Sequence, residues 1–362
     1  MLHFSTQKRI KITFRPIFIY LPTQFSELCC KDKYMLAIIS KDTRKLNKEN
    51  DMISNSELTI VMYHYVRPIA ESNFPKLKGL ELRDFRNQLD YLEKNFNIIS
   101  TQDVIIASKG KRPLPNKACW LTFDDGYKDH YKYVMPELLR RGLTAAFFPP
   151  RAAITQPIVL DVNSIHHILA SCSEIHDLER DLNLLCLKNG ISNDKLCLYV
   201  ARFKKEFRYD CPTTIYIKRM LQHVLPEDIR RCITSTLFNK YVGVSEELFS
   251  DELYMTLSEV SALVSNGMYV GSHGSMHYWL GRISEKKQRL DILYALEFLE
   301  EVGSNTSEWI MSYPFGSYNS DTLKILLELQ ASLAVTSKIG KAVIGIHNSL
   351  ELPRLDTNHF PK

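Results

Sequence analysis

The sequence predicts an α/β fold built on a parallel sheet, either a barrel or a doubly wound sheet. Short apolar strands alternate with amphipathic helices through most of the chain. Several strands also run into a short polar loop at their C-terminal end before the next helix begins, the pattern of βαβ crossover units. At 362 residues and 45% hydrophobic, the chain has enough apolar side chains for a sizeable core and is not compositionally disordered.

The elements follow in order. Ile10 to Leu21 is apolar but broken by Arg15 and Pro16, too short to span a bilayer and without a small-residue cleavage site. Residues 31–56 turn polar, and Met52 stands just before the first strand. Residues 1–51 are therefore expected to be a poorly ordered extension, and 52–362 the folded domain, in the cytoplasm and without stable membrane insertion. Leu58–Tyr65 reads as a buried strand. Arg83–Phe96 reads as a helix, with Phe85, Leu89, Leu92 and Phe96 at helical spacing. A short helix follows over Thr101–Ala107, capped by Ser100 or Thr101. Cys119–Phe123 is a strand ending in Asp124, Asp125 and Gly126, and a helix over Tyr131–Arg141 stops at Gly142. Leu143–Phe148 is a strand closed by two prolines.

From about 155 to 255 the pattern turns leucine-rich and helical, an expected insertion between sheet elements. A helix over Ser258–Ser265 and a strand over Met268–Gly271 come next. The helix Lys286–Val302 carries Leu290, Leu293, Leu296 and Leu299 near one face. Trp309–Tyr313 is a strand, Asp321–Leu329 a helix, Ser332–Thr336 a strand, and Leu352–Lys362 reads as loop.

The net charge of +5 comes without a basic run interleaved with aromatics, which argues against nucleic-acid binding. Eight cysteines at irregular spacing, with no CxxC pair, fit free thiols in a reducing compartment better than a disulfide framework.

Chemistry concentrates in two stretches. In LTFDDGY, Leu121 to Tyr127, adjacent carboxylates at the end of a buried strand repel unless a cation or a proton intervenes. One can bind a metal while the other takes a proton from water. In SHGSMH, Ser272 to His277, two imidazoles four residues apart can converge on one point. Alone, the first also describes a solvated helix cap and the second two unrelated histidines. Together, both at C-terminal strand ends where active sites of such folds gather, they form a three-ligand site with open positions.

TFDDG and the H-x-x-x-H of SHGSMH resemble the first two motifs of the polysaccharide deacetylases (the NodB homology group, carbohydrate esterase family 4). VMYHYV resembles the first strand of members that act on exopolysaccharides. The resemblance implies a distorted (β/α) barrel of seven or eight strands with the helical stretch inserted. It implies a metal-dependent deacetylase hydrolysing N-acetyl or O-acetyl groups of a carbohydrate, in surface-polysaccharide or glycan-precursor metabolism. Asp124 would be the base. Asp125, His273 and His277 would hold a divalent metal, Zn2+ first, with Co2+, Ni2+ or Mn2+ as alternatives.

The family's Arg-x-Pro-Tyr motif appears as Ser312, Tyr313, Pro314 and Phe315. The backbone N–H of Phe315 remains available as an oxyanion donor, whereas the missing arginine leaves open how Asp124 is oriented; Arg354 is the candidate replacement. The family's late Leu-x-His has no secure counterpart. His64, His347 and His359 are candidates for its proton-donating role, His64 first. Tyr127, Tyr313 and Arg354 are candidate substrate contacts. Tyr278 and Trp279, flanking the second motif, suit sugar stacking or core filling. His166 and His167 read as helix packing or cleft residues.

Three rival readings are a NodB-like protein that binds metal and sugar without turnover, a non-haem iron oxygenase, and a phosphatase with a nucleophilic aspartate. The oxygenase leaves the paired aspartates unexplained. The phosphatase expects its second aspartate two residues on.

Overall fold

The computed structural model describes residues 56–206 and 210–362; the extension expected over 1–51 lies outside them. The strands are β1 (Ser56–Tyr63), β2 (Val66–Arg67), β3 (Leu80–Glu81), β4 (Asn97–Ile98), β5 (Ala118–Asp124), β6 (Ala146–Phe148), β7 (Tyr269–Val270), β8 (Ile310–Ser312), β9 (Leu333–Ile339), β10 (Ala342–Ile344) and β11 (Leu352–Asp356). Seven run in the order β7-β6-β5-β1-β11-β9-β8. Every neighbouring pair along this path is parallel. Just past β7, a parallel bridge between Ser272 and Met311 joins the two ends. There Ser272 N–H donates to Ile310 O at 2.9 Å and Ser312 N–H to Ser272 O at 2.8 Å. The sheet thus curls into a ring, the distorted barrel.

Parallel strands covered on both faces read as continuous apolar runs, and all seven residues of β5 are buried. Alternate residues divide the two faces. Leu58, Ile60, Trp120, Phe148, Ile310, Val335 and Leu352 pack together as the barrel interior. The intervening Val61, Tyr63, Leu121, Phe123, Phe147 and Met311 pack against the outer helices. The same period of two sends Thr122, Asp124, Ser312 and Arg354 inward at the C-terminal rim, where the interior turns polar.

Helices form where predicted, with local differences. Leu82–Asn95 buries Phe85, Leu89 and Leu92. Thr101–Ser108 starts with a capping box between Ser100 and Asp103. The helix after the aspartate pair opens as a π-turn over His130–Val134 before Met135–Arg141, and ends at Gly142 with φ 68°.

The helix Glu285–Glu301 corrects the expected leucine face. It buries Gln288, Asp291, Ile292, Ala295, Phe298 and Leu299, whereas Leu290 and Leu293 are exposed. Two polar side chains face inward because they tie down neighbouring loops. Leu352–Asp356, expected to be loop, is a strand between β1 and β9. The β9–β11 register shifts between Leu352 and Arg354, accommodating Pro353, which has no N–H for the ladder.

Between β6 and β7, flanked by the helices Arg151–Thr155 and Leu257–Ser265, the insertion contributes the α-helices Asp161–Ser171, Ile175–Lys188, Asn193–Phe203, Pro212–Arg219, Glu227–Tyr241 and Glu246–Leu253. They have an apolar core of their own, with Ile165, Leu178, Ile217, Leu237 and Phe249, which also takes in Tyr65 and Tyr127 beside the barrel rim. Among the described residues, no helix is long and apolar enough to cross a membrane. All six cysteines there are free.

Candidate active site

Strand alternation alone would send Asp125 to the face opposite Asp124. Asp125 instead adopts a left-handed conformation at φ 73°, followed by Gly126 at φ 71°. A Cβ on Gly126 would lie 2.7 Å from the Pro149 Cβ. This turn swings both carboxylates to the rim.

His273 and His277 arrive on the loop after β7. Asp291 holds that loop, its Oδ2 accepting from Ser275 N–H at 3.0 Å and its Oδ1 from Met276 N–H at 2.8 Å. His277 is itself left-handed, at φ 54°. The Ser312 carbonyl lies 2.6 Å from His273 Nδ1. A carbonyl only accepts, so Nδ1 carries the proton and the Nε2 lone pair is turned inward.

Asp125 Oδ1 lies 3.3 Å from Nε2 of each histidine. The three donor atoms fall within 4.8 Å of one another, and all three residues are buried. Lone pairs converging this closely repel unless a cation or shared proton lies between them. Ligand bonds of ~2 Å in a tetrahedron put donor atoms about 3.3 Å apart, so the triad fits a divalent metal such as zinc. Burial opposes the charge on Asp125, yet the two imidazoles facing it hold its carboxyl well below the usual range. Burial lowers His277, whereas at His273 the two aspartates outweigh burial and raise it.

Asp124 is gripped by Arg354. Nη1 donates to Oδ1 at 3.0 Å and Nη2 to Oδ2 at 2.7 Å. Ser312 Oγ donates to Oδ1 at 3.1 Å. The other guanidinium contacts are Nε to Thr336 O at 2.9 Å, Nη1 to Thr122 Oγ1 at 3.2 Å and Nη2 to Ser312 Oγ at 3.1 Å. All five N–H donors of Arg354 are thereby engaged. Burial would raise the Asp124 carboxyl; the Arg354 guanidinium, then His273, overcome it and hold the group below its ordinary value. Arg354 therefore stands where the sequence lacks the motif arginine, reaching the base from β11. It is corrected as a substrate contact: it is buried and has no donor to spare.

Two further candidates are corrected. Tyr127 is fully buried; its hydroxyl donates to Asp125 Oδ2 at 2.5 Å. Tyr313 is buried too, its hydroxyl donating to Leu350 O at 2.8 Å. Neither side chain is free to meet a substrate.

Phe315 has φ 58° and sits beside the metal rim. Its ring lies 4.6 Å from His277 and stacks on Trp279 at 4.4 Å. His64 follows Tyr63, which pairs with Phe123 across β1 and β5, so it stands next to Asp124. Its carbonyl meets His130 Nε2 at 3.0 Å.

The other histidines lie apart. His347 is exposed and accepts from Val343 N–H at 2.9 Å, on the turn after β10, which pairs with the opposite end of β1. His359 is exposed, with Nδ1 3.1 Å from Asp356 O. His167 is buried against Phe74 and Phe249. His166 lies near Tyr65 at 6.0 Å.

A cavity of about 450 Å³ opens beside His277, between Ser164, His223 and Thr234 of the insertion and Tyr278, Trp279 and Phe315 of the barrel loops. Its volume is in the range of small-ligand sites. Asp291, Ser312 and Asn163 were not singled out as site residues by sequence reasoning. Their one signal is a polar side chain on an otherwise apolar face.

Residues 232–334 match the family model described as polysaccharide deacetylase. The match covers both histidines and Ser312–Phe315, whereas the aspartate pair lies upstream, across the insertion. Over 130 residues the chain is 28% identical to the poly-beta-1,6-N-acetyl-D-glucosamine N-deacetylase of Escherichia coli O157:H7, covering 36% of this chain and 19% of that protein. The protein of strain K12 matches to the same extent, 28% over 130 residues. The matched stretch is thus about a fifth of these relatives' length.

Among solved structures, the Streptococcus pyogenes deacetylase PplD shares the fold at TM-score 0.50 and 17% identity, over 83% of this chain and 92% of that one. IcaB from Ammonifex degensii does so at TM-score 0.50 and 18% identity, over 83% and 91%. Barrel, motif residues and family match thus point the same way: residues 232–334 are similar to the polysaccharide deacetylase family, and the described residues share the barrel of these deacetylase structures.

Proposed function

We propose that this protein is a metal-dependent deacetylase that hydrolyses acetyl groups on an N-acetylglucosamine-containing saccharide. The observation that carries the reading is the Asp125–His273–His277 triad beside an ionised, arginine-clamped Asp124. The triad would hold a divalent ion, zinc first. Such an ion supplies Lewis acidity to the acyl oxygen and lowers the pKa of water.

The chain's own residues do the rest. Asp124 takes the proton from the attacking water, and Arg354 with Ser312 keeps its carboxylate ionised and aimed. The Phe315 N–H donates to the developing oxyanion. His64, beside the base, returns a proton to the leaving amine. The cavity between Trp279 and the insertion takes the sugar, with Trp279 and Phe315 as an aromatic wall.

The substrate class follows the names of the Escherichia coli relatives. Binding without turnover draws its support from the missing motif arginine and the insecure proton donor; Arg354 beside Asp124 speaks against the first of these. The test is acetate release from acetylated glucosamine oligomers. Wild type releases acetate, a chelator stops it, and Asp124→Asn abolishes it while retaining metal. Full activity in Asp124→Asn would overturn the assignment of the base.

A further inference from the structure

A buried chain of polar groups connects the metal triad to the helical insertion. Asn163, on Asp161–Ser171, places Nδ2 at 2.6 Å from the Tyr127 hydroxyl and 2.9 Å from the Tyr65 hydroxyl. Its Oδ1 lies 2.5 Å from the Tyr254 hydroxyl, which accepts Leu160 N–H at 3.0 Å. Tyr127 donates to Asp125 Oδ2 at 2.5 Å.

Proton counting fixes the direction of this chain. A phenol has one proton, and an ionised carboxylate only accepts. If Asn163 turned its oxygen toward Tyr127, one proton would face two close acceptors and one contact would be repulsive. With Nδ2 toward Tyr127, every group finds its complement. The amide fills the phenol's lone pair, so the phenol's proton must go to Asp125. Tyr254, already accepting from Leu160, gives its proton to Asn163 Oδ1.

We infer that Asn163 is a positioning residue for the metal centre, contributed by the insertion and acting through Tyr127. By directing the Tyr127 proton onto Oδ2, it leaves Oδ1, the oxygen facing both imidazoles, as the single ligand atom of Asp125. The carboxylate is presented one oxygen at a time, and the barrel's metal site is complete only with the insertion docked. This inference rests on the metal reading above.

Co2+ is the probe, with the full chain, binding measured by competition with a chelator and visible absorption recorded. Tyr127→Phe deletes one oxygen and preserves the packing. It is expected to weaken Co2+ binding roughly 10–100-fold, the usual range for partners of a ligand. Its visible bands should change as Oδ2 becomes free to ligate. Asn163→Ala is expected to weaken binding in the same direction and by less. The double variant should bind no more weakly than Tyr127→Phe alone, since one residue acts only through the other. Unchanged affinity and spectrum in Tyr127→Phe, or strictly additive losses, would overturn the inference alone. Failure of wild type to bind Co2+ would overturn the metal reading with it.

Discussion

The barrel rim and the helical insertion meet at one cavity but are built to different standards. At the rim, every donor of Arg354 has an acceptor and both oxygens of Asp124 are bonded. In the insertion, Ser164 Oγ, His166 Nδ1, His167 Nε2, Ser171 Oγ and Thr234 Oγ1 are buried without a protein partner. The backbone differs as well. Asp125, His277 and Phe315 hold left-handed conformations at the rim, and no non-glycine residue does so in the described part of the insertion.

Strained backbone persists only where surrounding contacts over-determine it. Around Asp124 the rim is fixed in detail by hydrogen bonds, whereas the insertion, Asn163 apart, is held largely by apolar packing; Trp279 Nε1 and His130 Nδ1 are unpartnered on the barrel side. A site that needs one geometry for its chemistry is placed on the first kind of scaffold. The second kind furnishes an adaptable wall.

Substitutions can break this contrast, starting with the largest effect. His273→Ala should abolish both Co2+ binding and acetate release, read by chelator competition and product assay. Asp124→Asn should cost about 10²–10⁴-fold in kcat while Co2+ still binds. Arg354→Met should destabilise the fold by about 3–5 kcal/mol in urea unfolding, because it leaves Asp124 buried without its counter-charge.

Acid should separate the two regions. Burial lowers His130 to about 4, His167 to about 4 and His166 to about 3. The unfolded chain then binds more protons than the folded one, so stability falls as pH drops from ~6.5 toward 4. Two of these three histidines lie on the insertion. Asp124 has the same sign in a lower window: its lowered pKa contributes stability that is complete above the ordinary carboxyl range and is lost only as pH falls toward the lowered value. Hydrogen exchange near pH 5 should therefore show the insertion opening before the rim; simultaneous opening would erase the contrast. The smallest effect is expected from Thr234→Val. Removing an unpaired buried hydroxyl should leave urea stability unchanged or raise it by about 1 kcal/mol.

Much of this was legible in the sequence. Strand-ending DDG and the paired histidines pointed to the Asp125–His273–His277 cluster because their chemistry is local. Alternation of strand and helix left a barrel or a doubly wound sheet open, and the motif resemblance pointed to the barrel. What escaped depended on distant partners. Pro353 disguised β11 as loop, so Arg354 was considered for Asp124 without a strand to deliver it. Tyr127 and Tyr313 were candidate substrate contacts because sequence shows an aromatic ring without showing where its hydroxyl goes. Asp291 lay among leucines whose periodicity pointed to the wrong face, and only the loop it grips explains its burial.

The placement of β11 bears on how activity is acquired. Arg354 is separated from Asp124 by 230 positions and reaches it only when β11 slots between β1 and β9. Chains emerge N-terminal end first, so the aspartate is made long before its counter-ion. A molecule lacking this one strand would carry both motif stretches and still leave Asp124 buried without a counter-charge. Seating of the strand thus decides when the carboxylate is aimed and ionised.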